Sequence, residues 1–195
     1  GCSDMEKMVD RINALNPDVV IYAGDIFDND YDALDDPERL VEIMRNVSAA
    51  YGSYAVFGNH DVTETLVGGF STASRTKAFR DPRMETFLEQ AGINIMLDEV
   101  TTIADGKINL IGRLDGEKAG DGTSNRKDLS ELVKRCDMSK PVIVINHEPD
   151  KLHETAAMGV DVMLSGHTHA GQFFPLTIIQ PLAWENYWGI KKIDN

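Results

Sequence analysis

The chain has 195 residues, 42% of them hydrophobic, enough for one sizeable domain with its own core. Its formal net charge of −13 argues against a broad electrostatic grip on extended nucleic acid or an anionic membrane surface, so an anionic substrate would need a local cation to reverse the field. Two cysteines, Cys2 and Cys136, make no disulfide framework, and no apolar run reaches the ~18 residues that span a bilayer.

The elements follow in chain order. Ser3 and Glu6 form a capping-box pattern, and Met5, Met8, Val9, Ile12 and Leu15 recur at helical spacing. Asn16-Pro17 stops that helix, and Asp18 to Gly24 (DVVIYAG) reads as a buried strand. Asp36-Pro37 opens a second helix as N-cap and first helical residue, with Leu40, Val41, Met44 and Val47 on one face. Ser53 to Gly58 is the next strand, and Asp81-Pro82 caps a third helix ending near Gly92. Val100–Ala104 and Lys107–Ile111, joined at Asp105-Gly106, read as a hairpin. A polar, glycine-rich loop from Gly112 to Asn125 leads to a short helix around Leu129 to Val133. Pro141 to Asn146 and Val160 to Gly166 are two more buried strands, with a short helical stretch between them. Short solid apolar strands alternating with helices predict an α/β layered fold, without repeats, in a single domain over residues 1–195.

In such folds ligands collect beyond the carboxyl ends of the strands. Four apolar strands each release metal-ligand residue types there: Gly24 to Asp28 (GDIFD), Gly58 to Asp61 (GNHD), Asn146 to Asp150 (NHEPD) and Gly166 to His169 (GHTH). Four of the five histidines lie in these junctions, and only His153 falls outside. Any one junction reads as ordinary turn chemistry. Unrelated turns, however, have no cause to stock ligand residues at one edge.

One aspartate, one asparagine and three histidines suit a borderline divalent transition ion. Asp25 directly follows a strand-ending glycine and is the natural bridge between two cations, and Asn59 offers a carbonyl oxygen without charge. His147, His167 and His169 would bind as neutral rings. Divalent ions among mostly neutral ligands make a positive spot in an acidic protein. There they would lower the pKa of bound water from about 16 toward ~7, giving a hydroxide placed for in-line attack on phosphorus. Gly24, Gly58 and Gly166 allow the turns to approach closely.

The ordered set GD-x-x-D, GNHD, a strand-ending histidine and GH-x-H, spanning roughly Ser3 to Gly171, resembles the calcineurin-like metallophosphoesterase superfamily. The extended GHTHAGQ is similar to a bacterial branch whose members are often membrane-attached. The resemblance implies a four-layer αββα sandwich with two divalent metals, manganese, iron or zinc, at one edge. It implies that Asp25 bridges the metals, that Asn59, His147 and His167 complete one site, and that His169 serves the other. His60 would be the general acid, oriented by Asp28, and Asp61 would only shape the turn. Asn29 stands where protein phosphatases of this superfamily carry arginine, which disfavours a Ser/Thr protein phosphatase.

The resemblance also implies an initial strand ending in Asp-x-His, a pattern absent from these residues, and further strands after GH-x-H. The sequence therefore reads as a fragment of that fold clipped at both ends. One metal would bind it well and the second weakly, its activity would be impaired, and an uncovered sheet edge would invite dimerisation. Membrane attachment would run through segments outside this sequence. The implied substrate is a phosphomonoester or phosphodiester, either a small molecule or a lipid-linked phosphate. Arg113 and Asp115, on the Gly112 to Asn125 loop, read either as pocket residues or as ordinary exposed surface. The alternative function is a non-catalytic interaction scaffold on the same fold, against which the proton donor His60 argues.

Overall fold

Two Asp-Pro pairs set the helices of the first half. Asp36 accepts Arg39 N at 3.1 Å and Asp81 accepts Arg83 N at 2.9 Å, each capping a helix whose first residue is proline. These are α2 (Pro37–Met44) and α3 (Pro82–Gln90). The first helix, α1 (Cys2–Ala14), takes Gly1 as N-cap and has no side-chain cap, so the Ser3–Glu6 capping box does not form. Ser3 already lies inside the helical turn, whereas a capping residue needs non-helical backbone.

The computed structural model describes residues 1–63, 66–67, 70–71, 78–123, 125–169 and 181–193. One sheet is wholly parallel, in the order β1 (Val20–Ala23), β2 (Ser53–Val56) and β5 (Ile93–Ile95). Between β2 and β5 a two-stranded antiparallel pair, β3 (Leu66–Val67) and β4 (Phe70–Ser71), stands apart. The other main sheet runs β6 (Glu99–Ile103), β7 (Ile108–Gly112), β8 (Val142–Ile145) and β9 (Val162–Leu164). Its β6–β7 pair is the expected hairpin, and β7, β8 and β9 are parallel. The second half also carries two short helices, α4 (Leu129–Val133) and α5 (Leu152–Ala157).

Three apolar clusters stack these elements into layers. Leu40, Val41 and Met44 of α2 and Met84, Phe87 and Leu88 of α3 cover the outer face of the first sheet through Ala55, Phe57 and Ile93. Val56, Met96, Leu110 and Ile145 fill the space between the sheets. Leu129, Leu132 and Val133 cover the outer face of the second sheet through Ile111, Val142 and Val144. The arrangement is the αββα sandwich, and alternation along β8 shows why. Val142 and Val144 face the helix while Ile145 faces the other sheet, so the next inward position belongs to His147.

The carboxyl ends of β1, β2, β8 and β9 meet at one edge. His147, two residues past β8, contacts the carbonyl of Ala23 at the end of β1 at 2.7 Å, and Gly166 N donates to the carbonyl of His147 at 3.0 Å.

Candidate metal centre

Asp25 follows Gly24 in left-handed backbone, φ 53°, a conformation costing an ordinary residue roughly 1–2 kcal/mol. His167 and His169 share that region at φ 66° and 50°. Unfavourable backbone at three neighbouring polar residues marks a functional turn cluster more than a folding device. Asp25 Oδ1 accepts the backbone N–H of His60 at 2.9 Å. Its Oδ2 is buried without any hydrogen-bond donor, facing His147 Nε2 at 3.1 Å and His169 Nε2 at 4.0 Å.

The tautomer of His147 explains why Oδ2 lacks a donor. A carbonyl can only accept, so the 2.7 Å contact with Ala23 O places the proton of the neutral ring on Nδ1. Nε2 is then a bare lone pair, facing Asp25 Oδ2 and, at 3.2 Å, the amide oxygen of Asn59. His167 Nδ1 approaches the same Asn59 oxygen at 2.9 Å. Acceptors turned on one another in a buried place require a positive charge between them. A proton on His147 is one answer: burial opposes it, but Asp25 outweighs burial and raises this pKa. Reciprocally, burial pushes Asp25 up, but the hydrogen bond and charge of His147 outweigh it and bring the carboxyl below its ordinary value. A divalent cation is the other answer, and it alone uses the whole set. Ligand atoms of Asp25, His147 and His167 lie within 4.8 Å of one another, as do those of Asp25, His60 and His169. Burial, helped by the charge of His147, lowers the pKa of His167 and leaves its ring a neutral donor. The residues fit a cation.

The glycines at the strand ends are steric requirements. A Cβ on Gly24, at φ 91°, would lie 2.8 Å from Gly58 N, and one on Gly58 would lie 2.6 Å from His147 Nε2. Asp61 is fully buried and accepts Phe27 N at 2.6 Å and Gly58 N at 2.7 Å. Burial pushes its carboxyl up to about 6, against the pull of those amides. Its place is beneath the two turns, shaping them.

The expected partner of His60 needs correction. His60 Nδ1 meets Asn29 Oδ1 at 2.8 Å, while Asp28 is exposed. Left-handed backbone at Asn29, φ 58°, turns that side chain inward, and its N–H donates to the carbonyl of His60 at 2.8 Å. The surface reading of Arg113 fails as well, because the residue is only 7% exposed. Its Nε meets Asp98 Oδ1 at 3.2 Å and it donates to Lys127 O at 2.7 Å, bracing the loop. Asp115, 2% exposed, accepts Glu117 N and Lys118 N through Oδ1, while Oδ2 is buried without a donor.

Three further neighbours of the site carry no sequence signature. Besides Asn29, they are Lys118, whose Nζ lies 3.5 Å from the carbonyl of Asn59, and Trp184, whose ring meets that of His167 edge-on at 5.1 Å. His153 stays outside the centre, paired with Glu185 at 3.0 Å. Ala170 to Gln180 lie outside the described residues. Among the described residues, no helix is long and apolar enough to cross a membrane.

Comparison with known proteins agrees with this geometry. The family model described as calcineurin-like phosphoesterase matches residues 1–171. A transmembrane protein with metallophosphoesterase domain from Danio rerio is 30% identical over all of this chain and 42% of its own length. An uncharacterized metallophosphoesterase of Aquifex aeolicus is 30% identical, over 97% of this chain and 66% of its own. The UDP-2,3-diacylglucosamine pyrophosphatase LpxG of Chlamydia trachomatis is 24% identical, over 86% of this chain and 58% of its own. The chain spans about half the length of the curated relatives it matches. With the family model covering every ligand-bearing turn, the chain belongs to the calcineurin-like phosphoesterase family.

Proposed function

We propose that this chain carries the catalytic centre of a metal-dependent phosphoesterase that hydrolyses a phosphomonoester or phosphodiester. The observation that carries the reading is the buried, donorless Asp25 Oδ2 turned toward the lone pair of His147 Nε2, which also faces the amide oxygen of Asn59. Asp25, Asn59, His147 and His167 would hold one cation; Asp25 and His169, beside His60, would hold a second more weakly. Manganese, iron or zinc suits this oxygen and imidazole set. When bound, such ions draw the phosphoryl group in and make water nucleophilic at neutral pH.

The chain's own residues do the rest. Ala23 O holds the proton of His147 on Nδ1, leaving Nε2 for binding. Asp61 keeps the Asp25 and Asn59 turns in register. His60, with Nδ1–H held by Asn29, would give the Nε2 proton of its imidazolium form to a departing alkoxide and be left as the neutral Nδ1–H ring, a contribution worth about 10²–10⁴ in rate.

A substrate with an apolar portion is favoured. Asp25, His167 and His169 open into a groove of about 960 Å³ whose walls include Leu152, Tyr187, Trp188 and Ile190. The LpxG relative is named for a lipid-linked pyrophosphate, which agrees with that choice. Membrane association and self-association would suit such a substrate and remain parts of this proposal.

The test is hydrolysis of bis(p-nitrophenyl) phosphate and of short- and long-chain alkyl phosphates with added manganese, alongside His60→Ala. Turnover of the alkyl phosphates that falls at least a hundredfold in His60→Ala, with a smaller loss on the p-nitrophenyl ester and a preference for the long chain, is expected. Tight manganese binding with no turnover on any ester would instead favour a scaffold.

A further inference from the structure

We infer that Asn29 is the positioning residue of the reaction: its amide oxygen, and not the Asp28 carboxylate, accepts Nδ1–H of His60, so that the imidazolium aims Nε2–H at the leaving group and, once that proton is given, the neutral ring is left as the Nδ1–H tautomer. The assignment rests on the reading of His60 as proton donor. Its geometry is over-determined. Asn29 is 3% exposed, and its side-chain NH₂ donates to Val62 O at 3.3 Å, which turns Oδ1 toward His60 Nδ1 at 2.8 Å. The Asn29 N–H donates to the carbonyl of His60 at 2.8 Å, so backbone and side chain grip the same residue. An amide oxygen fixed in this way only accepts, so the neutral ring must carry its proton on Nδ1.

The choice of partner has a chemical consequence. A carboxylate beside His60 would add a full negative charge next to the imidazolium, whereas an amide orients the ring without that charge. Position 29 therefore supplies direction alone, and its loss should matter in proportion to how much the leaving group needs a proton. p-Nitrophenolate departs readily without one; phenolate and alkoxides do not. A residue that merely stabilised the fold would affect all esters alike.

Two measurements test the proposal. In metal-free protein at alkaline pH, long-range ¹H–¹⁵N NMR should report the Nδ1–H tautomer for wild type and a shift toward Nε2–H for Asn29→Ala. Wild type in the Nε2–H form, or no change in Asn29→Ala, would overturn it. With manganese, Asn29→Ala should lose about tenfold in kcat on phenyl phosphate but less than threefold on p-nitrophenyl phosphate, with KM unchanged in both. Equal losses on both esters would overturn it too. Should Asn29→Ala fold poorly, the wild-type tautomer decides the question alone: Nδ1–H supports the assignment and Nε2–H overturns it. A wild type inactive on both esters would defeat the phosphoesterase reading, while the NMR measurement still judges Asn29.

Discussion

The carboxylate of Asp61 accepts the backbone amide of Phe27 at 2.6 Å, joining the turn after β2 to the turn after β1. Its second oxygen takes Gly58 N at 2.7 Å, so one buried side chain sets the spacing between Asp25 and Asn59. Asp61→Ala leaves two amides without their acceptor and should destabilise the metal-free protein by about 2 kcal/mol, because an unmet buried donor costs more than a hydrogen bond returns. Urea unfolding checks the stability, and titration calorimetry should show manganese affinity reduced at least tenfold. Unchanged affinity with reduced stability would confine Asp61 to the fold.

Gly58 tests the close approach of the turns more directly. The methyl of Gly58→Ala would meet His147 Nε2 at 2.6 Å and also press on Asp25 Oδ1. Overpacking of this kind costs about 1–3 kcal/mol, which a chain of this size survives. Gly58→Ala should keep wild-type circular dichroism while losing the thermal stabilisation given by manganese. Retained stabilisation would mean that the ion sits elsewhere.

The two ligand groups also differ in what they offer. Asp25, Asn59, His147 and His167 converge from separate strand ends, whereas His169 is exposed and stands 4.0 Å from Asp25. Calorimetry should find one tight manganese equivalent, removed by His147→Ala and retained in His169→Ala. At a hundredfold excess over Kd, the tight site should stabilise the fold by about 2.7 kcal/mol. Two tight equivalents would contradict this assignment.

The sequence carried the layers and the strand ends because both are encoded locally. Asp36-Pro37 and Asp81-Pro82 announce their helices through the fixed φ of proline and a capping carboxylate, and both form. The four junctions, three of them opened by glycine, stand at strand ends because the apolar runs stop there. Non-local geometry was illegible. β5 is three residues long, with exposed Asn94 between Ile93 and Ile95, too short for its alternation to be read as a strand. Whether Asp28 or Asn29 faces His60 depends on one left-handed φ, which composition does not specify. Arg113 resembles any loop arginine until Asp98, a residue of a different turn, is brought beside it.

That pair makes its own prediction. Asp98, 1% exposed, accepts Arg113 Nε at 3.2 Å, Leu114 N at 3.1 Å and Lys127 N at 2.7 Å. Arg113→Met removes its one guanidinium and strands a buried carboxylate, which should cost about 3 kcal/mol in urea unfolding. Removing both charges, in Asp98→Asn with Arg113→Met, should cost less than the sum of the single changes, and a double-mutant cycle measures the difference. Strict additivity would mean that the two side chains do not interact.

Glu148 lies on the helix side of β8, 8% exposed, among Asp115, Glu117, Asp150 and Arg126. Burial first, then the three carboxylates, push its carboxyl up to about 7, while Arg126 pulls it down. The sign follows from linkage. A carboxyl whose folded pKa exceeds its unfolded value of 4.5 binds its proton more tightly when folded, so stability falls as pH rises from about 4.5 to about 7. Glu148→Gln has no charge to bury and should be more stable than wild type by about 1–2 kcal/mol at pH 8, and equal to it at pH 4. Asp61 and Asp115 are displaced in the same direction, so part of the slope persists in the variant. Urea unfolding of the metal-free proteins at pH 4, 6 and 8 measures the difference. Parallel curves, with no gap opening between pH 4 and 8, would show that Glu148 is solvated as an ordinary surface glutamate.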